Sequence, residues 1–353
     1  MSADIKRNPK VSVCIPTYNA ARTISYTLKS VIEQTYTNLE ILIVDNDSSD
    51  NTLSVVNEFR DPRINVYRNE KNLGGEGNFT RCIGLASGEY TAIFHADDIY
   101  TPEMICKQVE AFQKNDNVLA VSTMAKHINE KNEFIGKSDI PARLKKKEIY
   151  NFDDIFASVL QHGNFLICPS FMVRTDVYKE LAPFNGTDFR TSADLDMWFR
   201  ILKRGPIMIL KDYLMNYRID ENHFTHHYEY LRTEPRNFFR VVDHHLMLVN
   251  KHTNKISQKE VDKYQLLKSC DEIVCSINLL IKNKQSKAKR MLKQSSRRNA
   301  FYAAARNPLK PKYMFFLISG KCLMILIKYG LWNRWFSRFL NELRYRIASD
   351  LFY

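Results

Sequence analysis

None of the seven cysteines (Cys14, Cys82, Cys106, Cys168, Cys270, Cys275 and Cys322) forms a CxxC pair, and none has a His-rich partner spacing. Such an odd, scattered set argues against a disulfide framework or a structural zinc site, and reduced thiols suit a cytosolic setting. The first ten residues, MSADIKRNPK, hold no apolar run, so a secretory signal peptide is not expected. There is no internal repeat and no low-complexity tract. Nothing resembles a helix-turn-helix, an RNA-recognition signature or a zinc finger, so nucleic acid is not an expected partner. What is there is ordinary: 353 residues, 44% hydrophobic and 26% charged, enough for one large α/β domain with an appendage or for two domains.

Acidic residues are nearly missing from the C-terminal fifth. Residues 281–353 carry 17 Lys/Arg against Glu342 and Asp350, a net of +15, which leaves −2 for everything before. The tail reads as a partner for an anionic surface, with a merely solvated face as the plainer alternative. Within it, residues 313–332 (YMFFLISGKCLMILIKYGLW) are long enough to span a bilayer. Lys321, however, would then sit near the bilayer centre at about 2.5–3.5 kcal/mol. Lys321 and Lys328 share one helical stripe, which favours a helix lying in the interface with Trp332, Trp335, Arg334 and Arg338 at headgroup level. A buried or oligomer helix and a true span stay open. The expected location is the cytoplasmic face of the cell membrane, peripheral or monotopic.

Over the first 125 residues, strand and helix patterns alternate. Residues 11–16 (VSVCIP) and 39–44 (LEILIV) are short apolar runs of the kind a parallel strand buried on both faces requires. Between them, Ile24, Leu28, Val31 and Ile32 mark an amphipathic helix over 20–34. Further helices are expected at 52–59 and 78–86, strands at 64–67 and 90–94, and a Gly-rich turn at 74–77. This pattern predicts an α/β, Rossmann-like, mostly parallel sheet flanked by helices, with ligands beyond the carboxyl ends of the strands. The polar clusters 17–19, 45–50 and 95–98 fall at such ends. From 126 the alternation breaks down; a basic stretch at 143–147, helices at 153–161 and 193–203 and a strand at 167–173 are expected. Residues 225–300 contain no Gly and one Pro, and read as a helical extension.

Asp97 and Asp98 close an apolar strand, where carboxylates are costly unless solvated, paired or metal-bound. Hard cations such as Mg²⁺ or Mn²⁺ take carboxylate oxygens and leave positions open for phosphate. Turn chemistry before Pro102 is the competing reading.

The runs VSVCIPTYNA, ILIVDNDSSDNT, NLGGEGNFTRCIGLASGEY and FHADDIYTP, in this order, resemble family 2 glycosyltransferases of the GT-A fold over residues 10–222. The resemblance implies a nucleotide pocket lined by Pro16, Thr17, Asn19, Asp45, Asp47, Asn72, Gly74 and Asn78. In it Asp45 accepts from N3–H of uracil or thymine. It implies Asp97 as ligand to Mn²⁺ or Mg²⁺, with Asp98 and His223 as further candidates. His95 replaces the first acid of the family's DxD-type motif, and His95 and Ala96 fall in the sugar region. Residues 191–200 (TSADLDMWFR) resemble the ED-x-D-x-W-x-x-R segment, placing Asp194 as general base, with Ala193 in place of the usual Glu and with Trp198 and Arg200 in the acceptor region.

The plainer readings are that Asp194 complements a helix dipole, that Asp196 and Arg200 form an i,i+4 surface pair, and that Trp198 is core. Residues 216–223 resemble the family's YRxH tail, with Asp220 at the His position and His223, His226 and His227 close by.

The expectation is a GT-A domain over 1–222, a helical extension over 223–305 and a membrane-associating segment over 306–353. The resemblance further implies a metal-dependent, inverting transfer from a UDP- or dTDP-sugar to a lipid-linked or cell-surface saccharide. A nucleotide-sugar-binding protein with weakened catalysis is the alternative, and oligomeric state is open.

Overall fold

The computed structural model of the protein describes residues 8–219, 232–249, 256–295, 318 and 320–325. The chain divides into two compact units, Met1–Phe156 with Asn164–Asp220, and Ala157–Gly163 with Glu221–Tyr353.

In the first unit the apolar runs become strands: β1 Val11–Thr17, β2 Leu39–Asp45, β3 Ile64–Arg68 and β4 Tyr90–Ile93 lie side by side in the order β3-β2-β1-β4, all parallel. Each crossover is helical: α1 Ile24–Ile32, α2 Thr52–Val56 and α3 Gly74–Leu85. Helix α1 buries the Ile24, Leu28 and Val31 stripe against the sheet core of Val11, Val13, Ile41 and Ile43. It is shorter than expected, because residues 21–23 form a turn.

The second half of the sheet is mixed. Strand β5 Ile99–Tyr100 is followed by α4 Met104–Lys114, β6 Ala120–Ile128, β7 Phe134–Lys137, β8 Ile149–Tyr150, α5 Phe152–His162 and β9 Met172–Arg174. After α6 Thr175–Leu181, α7 Gly186–Phe189 and α8 Ala193–Arg204, the long β10 Ile207–Arg218 runs parallel to β6 and antiparallel to β5 and β8. Strand β9 runs antiparallel to both β4 and β6 and so joins the parallel half to the mixed one.

Two local expectations need correction. The Gly-rich stretch 74–77 is not a free turn but the first turn of α3. Asn72 Oδ1 accepts the Gly74 N–H at 2.8 Å, Gly74 takes φ +76°, and the helix starts there. The strand expected over 167–173 is only three residues long, because Cys168–Ser170, with Pro169, form a 3₁₀ turn.

The second unit is helical where described: α9 Asn237–Val249, α10 Gln258–Ile281 and α11 Gln285–Ser295. Helix α10 begins in a reciprocal capping box of Ser257 and Glu260 and is buried along most of its length. Arg232 and Asp271 form a buried ion pair, and Asn278 donates to the Arg232 carbonyl at 2.9 Å. Of the basic tail, Gly320 packs against Ile273 and Leu292, and Leu323 is buried while Lys321, Cys322 and Ile325 are exposed. Among the described residues, no helix is long and apolar enough to cross a membrane. The remainder of the 306–353 segment lies outside the described residues.

Candidate functional site

The site is built on strand ends. Strand β1 ends at Thr17, register partner of Asp45 at the end of β2. Asn19, at φ +49°, zips the two following loops together: its N–H donates to Ser48 Oγ at 2.9 Å and its side-chain oxygen accepts the Ser49 N–H at 2.9 Å. Pro16 is half-buried beside it. Asp45 is fully buried; one carboxylate oxygen accepts the Ser48 N–H at 3.1 Å and lies 3.6 Å from Arg68 Nε, while Oδ1 has no hydrogen-bond partner. A buried acceptor left open at a strand end is chemically suited to an incoming N–H. Asp47, at φ +63°, sits 3.1 Å from Arg68 Nη2. Arg68 was not foreseen from the sequence, which gave no hint that the end of β3 would serve both acids.

Behind Asp45 lies an amide network. Asn46 donates to Asn72 Oδ1 at 3.0 Å and to the Gly74 carbonyl at 3.1 Å, and its oxygen accepts from Asn69 and from the Leu73 N–H, both at 2.8 Å. Asn69 also donates to Asn78 Oδ1 at 3.0 Å, and Asn78 donates to the Val44 carbonyl at 2.8 Å. Asn78 is therefore a buried strut holding the end of β2. Asn46 and Asn69, which the sequence reading passed over, do more to fix the loop than either Asn72 or Asn78.

At the end of β4 the chain turns through His95–Asp98 and returns as β5. Tyr100 stacks on Phe94, and its hydroxyl accepts the His95 N–H at 2.8 Å. Asp98 is fully buried: Oδ1 accepts the Arg218 N–H at 2.8 Å, and its carbonyl accepts the Thr27 hydroxyl at 2.7 Å. Burial, with the Asp97 carboxylate adjoining, pushes the Asp98 carboxyl well above its usual range. Arg218 also donates from Nε to the Asp97 carbonyl at 2.8 Å and from the guanidinium to Asn129 O and Asn132 Oδ1.

Ligand atoms of His95, Asp97 and Asp98 lie within 4.8 Å of one another, a set that fits a divalent cation, with Asp98 Oδ2 buried and lacking a hydrogen bond. His95 packs its ring on Phe79 at 5.8 Å, and Ala96 is buried in the same turn.

Asp194 stands in the first turn of α8, half-buried, accepting the Leu195 N–H at 2.7 Å. Desolvation raises its carboxyl to about 6, opposed by backbone N–H groups and assisted by Glu76 of α3. Glu76 packs closely against Gly186, where a Cβ would meet the Glu76 Cβ at 2.9 Å.

The acidic turn and Asp194 act on common neighbours. The Tyr217 hydroxyl is pushed up by burial and then by Asp98, Asp97, Cys168 and Asp194, and the Cys168 thiol by burial and then by Asp194 and Asp98. Asp45 stands two strands from this turn, across β1, about 10 Å away at ordinary strand spacing.

Other expected residues fall elsewhere. Trp198 is buried in the core, stacked on Phe171 at 3.9 Å, as the plainer reading has it. Arg200 pairs with buried Asp196 at 2.8 Å rather than forming a surface pair, and also bonds the Leu181 carbonyl and the Pro183 carbonyl at 3.0 Å, tying α8 to the loop after α6. His223, with Asp220, His226 and His227, lies outside the described residues.

Residues 12–182 match the model for glycosyl transferase family 2. An uncharacterized glycosyltransferase of Haemophilus influenzae is 31% identical over 232 residues, 64% of this chain and 70% of that protein. The chain belongs to glycosyl transferase family 2. It is thus a glycosyltransferase, an enzyme. The Escherichia coli UDP-Glc:alpha-D-GlcNAc-diphosphoundecaprenol beta-1,3-glucosyltransferase WfgD is 38% identical over 134 residues, 38% of this chain and 52% of that one. Among solved structures, S. aureus TarS 1–349 in complex with UDP-GlcNAc aligns with a TM-score of 0.61 at 16% identity, covering 91% of this chain and 92% of that one. The mannosyltransferase PcManGT of Pyrobaculum calidifontis, in complex with GDP-Man and Mn²⁺, aligns at 0.50 with 17% identity over 90% and 87% of the two chains. At these identities the likeness establishes the fold, the mixed α/β sheet of GT-A glycosyltransferases.

Proposed function

We propose that this glycosyltransferase moves a sugar from a UDP- or dTDP-linked donor to a hydroxyl of a lipid-linked or cell-surface saccharide, with inversion. The observation that carries the reading is the half-buried Asp194, with a carboxyl near 6, whose charge acts on Tyr217 and Cys168 together with that of Asp98 in the His95, Asp97 and Asp98 turn. A carboxylate of that basicity takes the acceptor hydroxyl proton as the oxygen bonds to the anomeric carbon. The bond to the diphosphate oxygen breaks on the opposite face, and its electron pair leaves with the diphosphate.

Asp97 and Asp98, with His95, would hold a Mn²⁺ or Mg²⁺ ion, which offsets negative charge on the departing diphosphate. The unpaired Asp45 oxygen supports a base with an N3–H, as in uracil or thymine. WfgD, by its name, uses UDP-Glc and a diphosphoundecaprenol-linked acceptor, which supports the lipid-linked class. The +15 tail supports work at the cytoplasmic face of the membrane.

His95 and Ala193, standing where the family carries acids, favour as second reading a donor-binding protein with weakened catalysis. A thermal-shift screen of nucleotide sugars with Mn²⁺, followed by transfer assays, separates the two. Binding with turnover that is lost in Asp97→Ala and Asp194→Asn supports transfer. Binding without turnover supports the second reading, and near-normal turnover in both variants overturns the roles assigned here. Deleting residues 306–353 and finding unchanged flotation with anionic liposomes would discard the tail's part.

A further inference from the structure

The hairpin of β6 and β7 carries a feature that neither the transfer reaction nor the nucleotide pocket uses. Lys126 and Lys137 are register partners across it, so their side chains rise from the same face with Cβ atoms roughly 5 Å apart. Both are exposed, and neither has an ion-pair partner within 4 Å among the described residues; Lys137 has the Tyr213 ring 5.4 Å from its Nζ and acts at longer range on Asp139, whose carboxylate is already paired with Lys145. Like charges directly opposite one another weaken a strand pair, so the arrangement costs stability unless an anion is supplied.

Next to them the edge strand exposes Phe134 and Ile135 at 64% and 51%. Ile135 is the extra residue of a bulge between the pairs His127↔Gly136 and Ile128↔Phe134, a device that re-aims a side chain at a sheet edge. Lys131 at the hairpin tip and Lys146 in the following loop are also exposed and outside any ion pair among the described residues. The hairpin's acids are occupied: Glu130 lies 3.3 Å from Arg22, and Glu133 accepts from Asn129.

Charge sorts the same way. Residues 126–147 hold seven Lys/Arg against three acids, net +4, whereas the rest of residues 8–219 holds 18 against 24, net −6. A basic, apolar-tipped edge on an otherwise acidic unit is complementary to one kind of partner, an anionic lipid surface. The apolar pair enters the headgroup boundary and the lysines meet phosphate.

We propose that the β6–β7 hairpin docks the first unit onto an anionic bilayer, through Phe134 and Ile135 with Lys126, Lys131, Lys137 and Lys146. Arg218 ties this edge to the acidic turn, since the guanidinium that holds Asp97 also bonds Asn129 and Asn132 at the hairpin tip. Docking there would place the turn beside the membrane.

The test is hydrogen exchange of the full chain, without sugar donor, mixed with phosphatidylcholine vesicles that do or do not contain phosphatidylglycerol. Amides of residues 129–137 are expected to gain protection only with the anionic vesicles. The gain should vanish in Phe134→Ser/Ile135→Ser, and vesicle affinity should fall roughly fivefold for each of Lys126→Gln and Lys137→Gln. Melting temperature and nucleotide binding, measured on the same samples, identify any variant that misfolds, and the single lysine variants keep the hydrophobic edge intact. Vesicle binding with unchanged exchange at the hairpin, or protection only by an added protein, overturns the proposal. No transfer is measured, so failure here is separate from failure of the catalytic reading.

Discussion

Arg218 and Asp98, 120 positions apart, meet at 2.8 Å where the Arg218 N–H donates to the Asp98 carboxylate. The bond fastens the last residue of β10 to the acidic turn after β4, and the Arg218 side chain adds the Asp97 carbonyl on one side and the Asn129–Asn132 turn on the other. Arg218 is buried, so its truncation leaves several carbonyls without donors. Arg218→Ala is expected to cost on the order of 3 kcal/mol in urea unfolding, from lost charged hydrogen bonds. Transfer should fall further than stability predicts, because the turn loosens. Arg218→Lys should recover part of the stability and little of the activity, since one ammonium cannot reach both sides.

Asp194 gives the pH dependence. As a base it works ionised, and its carboxyl is raised to about 6, so kcat/KM should be flat above that pH and fall tenfold per unit below it. Burial is the main cause and Glu76 adds to it, so Glu76→Gln should move the acid limb downward while the plateau stays near wild type. The pH profiles of wild type and Glu76→Gln decide this; an unmoved limb in the variant would remove Glu76 from the account.

How much of this was legible beforehand depends on whether a residue's role is local. The runs VSVCIPT and LEILIVD became parallel strands because nothing but burial on both faces accommodates them. Asp45 ends β2, Asp97 follows β4 and Asp194 opens α8, and such element boundaries are visible in one dimension. Arg218 was not visible as a clamp, because its partners are 86 to 121 positions away in sequence. The settings of Trp198 and Arg200 stayed open for a related reason. A motif gives spacing along α8 but not which side of the helix meets the core, and both side chains turn to Phe171 and to the loop after α6. The start of α3 was missed because glycines read as a turn until Asn72 and Asn46 are seen to anchor its first residues.

Asn46 invites a stability test of the amide network. Its side chain makes four hydrogen bonds, to Asn69, Asn72, Leu73 and Gly74, in a buried position. Asn46→Ala should destabilise the protein by about 2–4 kcal/mol, since several groups lose partners at once. Asn46→Asp keeps the acceptor but not the donors, and should fall between the two in thermal melts.

Asp45 has one carboxylate oxygen held by Ser48 and the other open, so Asp45→Asn separates acceptor from donor chemistry at almost constant volume. If the open oxygen receives the N3–H of the donor's base, the variant can present an amide N–H there, opposing like with like. The loss of one good hydrogen bond and the burial of an unmatched donor is worth about 1–3 kcal/mol, or roughly tenfold to a hundredfold in affinity. Calorimetry with UDP should register that loss, and the same variant should bind CDP less poorly, because cytosine N3 is an acceptor. Equal weakening toward both nucleotides would mean that Asp45 supports the pocket without touching the base.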